Sequence, residues 1–225
     1  MRIAYEVLLN HNVNRLCHFT RFVTLKHILG SDDGIKARNF VDGLVSRPTD
    51  GERFDREEDY ICCSVEYPNT WYLDKVRNDD PIFKEWAVLC IDPKALLNAT
   101  VKYSACNAAR ECGAYVHDES YAISELYNSR SVLGFERSSD MLKCCPTDGQ
   151  SEILLYKNIP RQYITGILLR SENAAKQLIV SFKTLEISDT VIPQIWIAPE
   201  VFEKKTWSNL ARIGKRPEEK IYRRF

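Results

Sequence analysis

The run Trp86-Ala87-Val88-Leu89-Cys90-Ile91 contains no polar side chain. It is too short for a buried helix, and Val and Ile favour extended backbone, so it reads as a strand covered on both faces. Asp92-Pro93 follows and opens a short helix, because Pro is tolerated in a first helical turn. Further strands are expected at Tyr60–Val65, Glu152–Tyr156, Ile164–Leu169 and Gln194–Ile197. Phe22, Leu25, Ile28 and Leu29 recur at helical spacing over 21–29, with Gly30 as a stop signal. Residues 115–127 read as a helix with Asp118 and Glu119 near its start. Ser171 is a suitable N-cap for a helix over 172–182. Strands and helices do not alternate regularly and no Gly-x-Gly-x-x-Gly is present, which excludes a doubly wound dinucleotide-binding sheet. One continuous α+β domain over residues 1–225 is the expected organisation.

Two polar stretches, 31–59 and 128–149, interrupt this pattern and read as long irregular loops. No run approaches the roughly 18 apolar residues of a membrane span, and Met1-Arg2-Ile3-Ala4-Tyr5-Glu6 lacks the apolar core of a signal peptide. A cytoplasmic protein with no membrane partner is therefore expected. The 31 basic and 31 acidic residues cancel, which excludes a globally basic nucleic-acid coat. From Lys204 to Phe225, however, eight Lys or Arg face only Glu218 and Glu219. Such a segment can steer a phosphate backbone, or can be a solvated C-terminal helix with a frayed end. The eight cysteines include two adjacent pairs, Cys62-Cys63 and Cys144-Cys145, but no Cys-x-x-Cys knuckle. Reduced thiols acting as small buried hydrophobes are expected, and no metal site.

Three features can carry chemistry. In Cys17-His18-Phe19-Thr20 an extended chain puts His18 and Thr20 on one face about 7 Å apart, where an imidazole and a hydroxyl can hold a ribose or an amide. A structural histidine is the alternative. In Thr147-Asp148-Gly149-Gln150-Ser151-Glu152 a flexible turn delivers a carboxylate to the rim of an apolar strand. Glu152 there can have a tuned pKa, bind a sugar hydroxyl or accept a proton, and Gln150 shares its side if the extended geometry begins that early. A solvated gatekeeper is the alternative. In the first loop, Arg38, Arg47, Arg53 and Arg56 offer guanidinium groups able to clamp a diphosphate, although loop arginines commonly face solvent.

Taken in order, His-x-Thr before a short helix, a strand at Asp59-Tyr60-Ile61 after an Arg-containing loop, a buried strand at Val88 and Gln-x-Glu opening a strand resemble the DarT family of ADP-ribosyltransferase toxins. The likeness is closest over Gln150-Ser151-Glu152-Ile153-Leu154-Leu155, Ile159-Pro160, Gly166-Ile167 and Ser171-Glu172 with its helix to Leu178, and covers most of 15–200. The resemblance implies an ADP-ribosyltransferase-like α+β fold, with a split central β-sheet flanked by helices that binds NAD as co-substrate. It implies catalytic roles for Glu152 and Arg47, with Arg53 as the alternative arginine. His18 and Thr20 would anchor the nicotinamide ribose and carboxamide, and Arg53, Tyr60 and Tyr67 would make further NAD contacts. Gln150, Lys204 and Lys205 would meet the acceptor, with 128–149 as its recognition loop.

The implied acceptor is a base of single-stranded DNA, ahead of single-stranded RNA and then protein, and a cognate antitoxin is the implied partner. A non-catalytic nucleic-acid-binding or defence-sensor protein on the same fold is the competing reading. Two positions depart from the family pattern. Thr24-Leu25 replaces an Asn-Leu, and Ser64 replaces an aromatic residue, so stacking on nicotinamide would fall to Tyr60, Tyr67 or Trp71.

Overall fold

The computed structural model describes residues 2–41 and 53–223. Helix α1 (Arg2–Asn10) precedes strand β1 (Leu16–Arg21), helix α2 (Phe22–Leu29) and the two-residue strand β2 (Ile35–Lys36). Strand β3 (Tyr60–Val65), helix α3 (Thr70–Asp79), β4 (Trp86–Ile91), β5 (Val101–Ser104), β6 (Val116–His117) and the single turn α4 (Ala122–Glu125) follow. The second half comprises β7 (Glu152–Tyr156), β8 (Asn158–Ile159), β9 (Ile164–Leu169), α5 (Glu172–Thr184), β10 (Gln194–Ile197), α6 (Thr206–Arg212) and β11 (Lys220–Ile221).

Nine of these strands form one sheet in the order β11-β10-β9-β4-β1-β3-β7-β5-β6, antiparallel except for β9 beside β10. β4 lies between β1 and β9 with all six residues buried, as its uninterrupted apolarity requires. Ser171 caps α5 by accepting the Ala174 N–H, and Ala174, Leu178 and Phe182 are buried at four-residue spacing. Gly30 ends α2 with φ −79°, so left-handed freedom is not what it supplies; a Cβ there would stand 2.6 Å from the Lys26 carbonyl oxygen. All eight cysteines are free thiols and six are buried. Among the described residues no helix is long and apolar enough to cross a membrane.

The sheet is split. β1 pairs with β4 along its whole length, from Leu16 opposite Ile91 to Arg21 opposite Trp86. With β3 it shares only two register pairs, Leu16–Val65 and Cys17–Ser64. Beyond Cys17 the strands part, and the backbone groups along the opening need partners other than a ladder. The His18 side chain supplies one, its Nδ1 lying 3.0 Å from the Cys62 carbonyl oxygen.

Several expectations are corrected. Residues 115–127 do not form one helix: Val116 and His117 pair with Ser104 and Tyr103, and only Ala122–Glu125 is helical. Val and His are weak helix formers, and the exposed edge of β5 offers them hydrogen bonds that a local helix cannot match. The first polar stretch is not loop throughout, since Ile35 is buried and β2 pairs with β8. The second is irregular but well held, because the Arg137 guanidinium donates to the carbonyls of Cys145 (2.8 Å), Leu142 (3.0 Å) and Lys143 (3.3 Å). The basic C-terminal segment is neither a long helix nor a free tail. After α6 it returns as β11 against β10, Arg216 pairs with Glu66 at 2.8 Å, and Arg15 grips Glu219. Helices α1 and α3 carried no expectation.

Candidate active site

Glu152 is the first residue of β7, opposite Ser64 on β3 and Ser104 on β5. The turn that delivers it is pinned, not flexible. Thr147 donates its N–H to the Leu126 carbonyl and its hydroxyl to the Asn128 carbonyl, the Gln150 N–H donates to Asp148 Oδ1, and the Ser151 hydroxyl donates to the Ala105 carbonyl. Gly149 is required because a Cβ would stand 2.9 Å from the Trp207 ring, which packs edge-on against Trp71. With only 8% of its surface exposed, Glu152 has its acidity set chiefly by burial, which pushes its pKa up to about 7. The Ala108 N–H, 2.7 Å from Oε2, and the nearby Arg53 oppose that rise, while Asp55 and Asp148 add to it.

His18 and Thr20 on β1 line the same cavity as Glu152, which measures about 580 Å³. A carbonyl oxygen can only accept, so the contact to Cys62 fixes the proton on Nδ1 and leaves Nε2 with a lone pair. Burial lowers the His18 pKa, which keeps the ring neutral in that tautomer. Ser64 also lines the cavity, its Oγ accepting the Asn69 N–H at 3.0 Å, and Thr24 does so from α2.

Arg53 lines the cavity, but most of its donors are spent within the protein. Nε and Nη2 bind Asp55 at 2.8 and 2.7 Å, Nη2 also donates to the Glu57 carbonyl, and Nη1 donates to the Tyr60 carbonyl. The guanidinium therefore fixes the chain entering β3 and adds a positive charge near Glu152. Arg38 and Lys36 line the cavity too, whereas Arg56 lines a separate shallow depression with Glu57, Glu58 and Asp59.

The structure thus brings Glu152, His18, Thr20, Arg53 and Tyr60 to one cavity. Arg47 lies outside the described residues. Tyr67 is not at the cavity: it is buried in the core against Trp207, beneath the Arg15 guanidinium. Trp71, Gln150, Lys204 and Lys205 are likewise absent from its lining, and so is every residue of 128–149. Phe19, Phe54, Tyr72, Asp55 and Asn107 line it without having been singled out in the sequence. For Asn107 and the Ala108 N–H no sequence signal exists, because their role depends on a loop from β5 folding over the start of β7. Chemically, the arrangement sets a neutral hydrogen-bond acceptor and a hydroxyl beside a carboxylate poised near neutrality. Cationic side chains line the same cavity, a combination that suits a ligand with sugar hydroxyls, anionic groups and a developing positive charge.

The family model for DarT, described as ssDNA thymidine ADP-ribosyltransferase, matches residues 17–202. Among solved structures the chain is similar to Thermus sp. 2.9 DarT in complex with ADP-ribosylated ssDNA, at 15% identity over 85% of this chain and 97% of that one, TM-score 0.59. It is similar to the same Thermus protein in complex with NAD+, at 14% identity over 85% and 98% of the two chains, TM-score 0.56. Similarity also extends to Thermosipho africanus DarTG in complex with ADP-ribose, at 15% identity and TM-score 0.55, where 84% of this chain covers 51% of that one. At these identities the structural likenesses speak for the fold alone. No curated protein matches the sequence. The family match begins on β1 beside His18, passes through Glu152 and ends beyond β10, so the chain belongs to the DarT family, ADP-ribosyltransferases for which NAD is the co-substrate.

Proposed function

We propose that this chain transfers ADP-ribose from NAD to a thymidine base of single-stranded DNA, releasing nicotinamide, and that it does so in the cytoplasm as a toxin restrained by a cognate antitoxin. The observation that carries the reading is the shared cavity of Glu152 and His18 at the split in the sheet. The family description supports the acceptor, and the DarTG neighbour supports the pairing with an antitoxin.

NAD contributes a glycosidic bond whose leaving group departs with the bonding electron pair. The residues present fit it. His18 Nε2 accepts a hydrogen bond from a ribose hydroxyl, and the Thr20 hydroxyl is placed to meet the ribose or the carboxamide. Lys36 and Arg38, paired with Asp33 at 2.8 Å and with Glu58 at 3.4 Å, are the lining cations that would face the diphosphate, and Tyr60 is the aromatic of the expected set that lines the cavity. The Glu152 carboxylate stabilises the positive charge that develops on the ribose carbon as the bond opens. When the acceptor atom bonds to that carbon it releases a proton, and a carboxylate with a pKa of about 7 is well matched to take it. The Ala108 N–H holds one oxygen of Glu152 in place throughout. A low-dielectric site with fixed donors needs little reorganisation during the reaction, which is where such stabilisation has most effect.

The test is incubation with NAD and single-stranded oligonucleotides that do or do not contain thymidine, followed by mass analysis. A mass gain of one ADP-ribose on thymidine-containing DNA is expected. Modification of RNA alone, or of no nucleic acid by protein that binds NAD, would refute the assignment. Growth arrest on expression of the wild-type chain, absent with Glu152→Gln, tests the toxin role.

A further inference from the structure

Phe54 lines the cavity that holds Glu152, yet 52% of its surface is exposed. Single exposed apolar side chains are ordinary on protein surfaces, but three observations set this one apart. Its neighbours on both sides are immobilised: the Arg53 and Asp55 side chains form a two-pronged pair and are only 14% and 5% exposed. The ring is therefore presented from fixed backbone. Arg53, Phe54 and Asp55 all line the cavity that Glu152 lines.

The third observation is the buttress beneath it. A Cβ on Gly113 would stand 2.7 Å from the Asp55 carbonyl oxygen, so the backbone of 110–113 abuts Asp55 directly. That segment runs through left-handed conformations at Glu111 (φ 48°), Cys112 (φ 56°) and Gly113 (φ 90°). Non-glycine residues hold such conformations when surrounding structure over-determines them, and such strain clusters at ligand-binding sites. Asn107 and Ala109, from the same β5–β6 connection, line the cavity as well.

We propose that Phe54 is the stacking platform for the acceptor base, so that a nucleobase of single-stranded DNA lies against its exposed face while its reacting atom approaches the site of Glu152. This inference rests on the DNA-modifying reading given above. Half of the ring faces water at the cavity, where it is open to a base of a second substrate. An unpaired base offers a π-face without the cost of opening a duplex, and stacking tolerates any base, so Phe54 supplies affinity while hydrogen bonds choose the base.

The experiment compares Phe54→Ala, Phe54→Leu and Phe54→Trp in the full chain. It measures the oligonucleotide KM for transfer and, separately, the Kd of carba-NAD, which reports co-substrate binding without reaction. Loss of one stacked base should raise the oligonucleotide KM by about tenfold to a hundredfold in the Ala and Leu variants, leave the carba-NAD Kd within about twofold, and spare the Trp variant. Leu keeps an apolar side chain of similar reach, so it remains informative if Ala perturbs folding. A Leu variant with wild-type KM for DNA, or a carba-NAD Kd that rises in step with that KM, overturns the proposal. A wild-type chain that modifies no DNA overturns the underlying reading and this inference with it, and that result is distinct from either of the other two.

Discussion

Replacing Glu152 with Gln should abolish transfer and at the same time stabilise the fold, by an amount that depends on pH in a defined way. Burial raises the Glu152 pKa from 4.5 to about 7, so the folded chain holds a proton that the unfolded chain releases between those values. Folding is therefore penalised progressively as pH rises through that window, and the full penalty is present above pH 7. A shift of about 2.5 pH units corresponds to about 3 kcal/mol. Gln carries no charge at any pH and its carbonyl oxygen can still accept the Ala108 N–H, so the variant escapes the penalty. Urea unfolding followed by circular dichroism should give a gain of about 1 kcal/mol at pH 5 and about 3 kcal/mol at pH 8.5, the latter worth roughly 6–12 °C in Tm for a chain of this size. Equal stability of the two proteins at pH 8.5, or a gain larger at pH 5 than at pH 8.5, would refute the claim that Glu152 is a strained, desolvated carboxylate.

Three further outcomes follow from the same contacts. The kcat/KM for transfer should rise with pH through a midpoint near 7 as Glu152 ionises, and burial moves any titration of His18 to the acid side of its usual range; a flat profile between pH 5 and 8 would contradict this. Arg53→Met leaves the buried Asp55 without its partner and should cost about 3 kcal/mol in urea unfolding while lowering transfer, and an unchanged midpoint would show that the pair is not what holds this segment. Arg216→Ala exposes the opposite face of the same logic: Glu66 is 2% exposed, but Arg216 is 48% exposed, so water replaces part of what is lost and a cost of about 1–3 kcal/mol is expected. A variant with wild-type stability would mean that the C-terminal segment is not anchored through Glu66.

The strands were legible in the sequence because their signal is local. Trp86–Ile91 is apolar at every position and lies at the heart of the sheet, and Tyr60–Val65, Glu152–Tyr156, Ile164–Leu169 and Gln194–Ile197 have the bounds their composition implies. The α5 cap at Ser171 was equally local. What the sequence hid depends on long-range packing. Val116 and His117 join a sheet edge through partners 12 and 14 residues back, Ser104 and Tyr103, and no local pattern announces that. Tyr67 looked like a ligand aromatic because its chemistry suits stacking, but Trp207, far along the chain, claims it for the core. The basic C-terminal segment looked free because its partners, Glu66 and Arg15, belong to the first third of the chain. Of the site itself, His18, Thr20 and Glu152 were readable as chemistry-bearing types at strand positions. Asp55, Asn107 and Phe54 acquire meaning only once the loops carrying them meet around the cavity.

The most direct test is the single-turnover rate of ADP-ribose transfer to single-stranded DNA, compared between the wild-type chain and Glu152→Gln at pH 8, with carba-NAD binding measured alongside. A rate about 10²–10⁴ lower in the variant, at unchanged carba-NAD affinity, is the predicted result. Rates within a few-fold of each other would show that the reaction does not depend on this carboxylate.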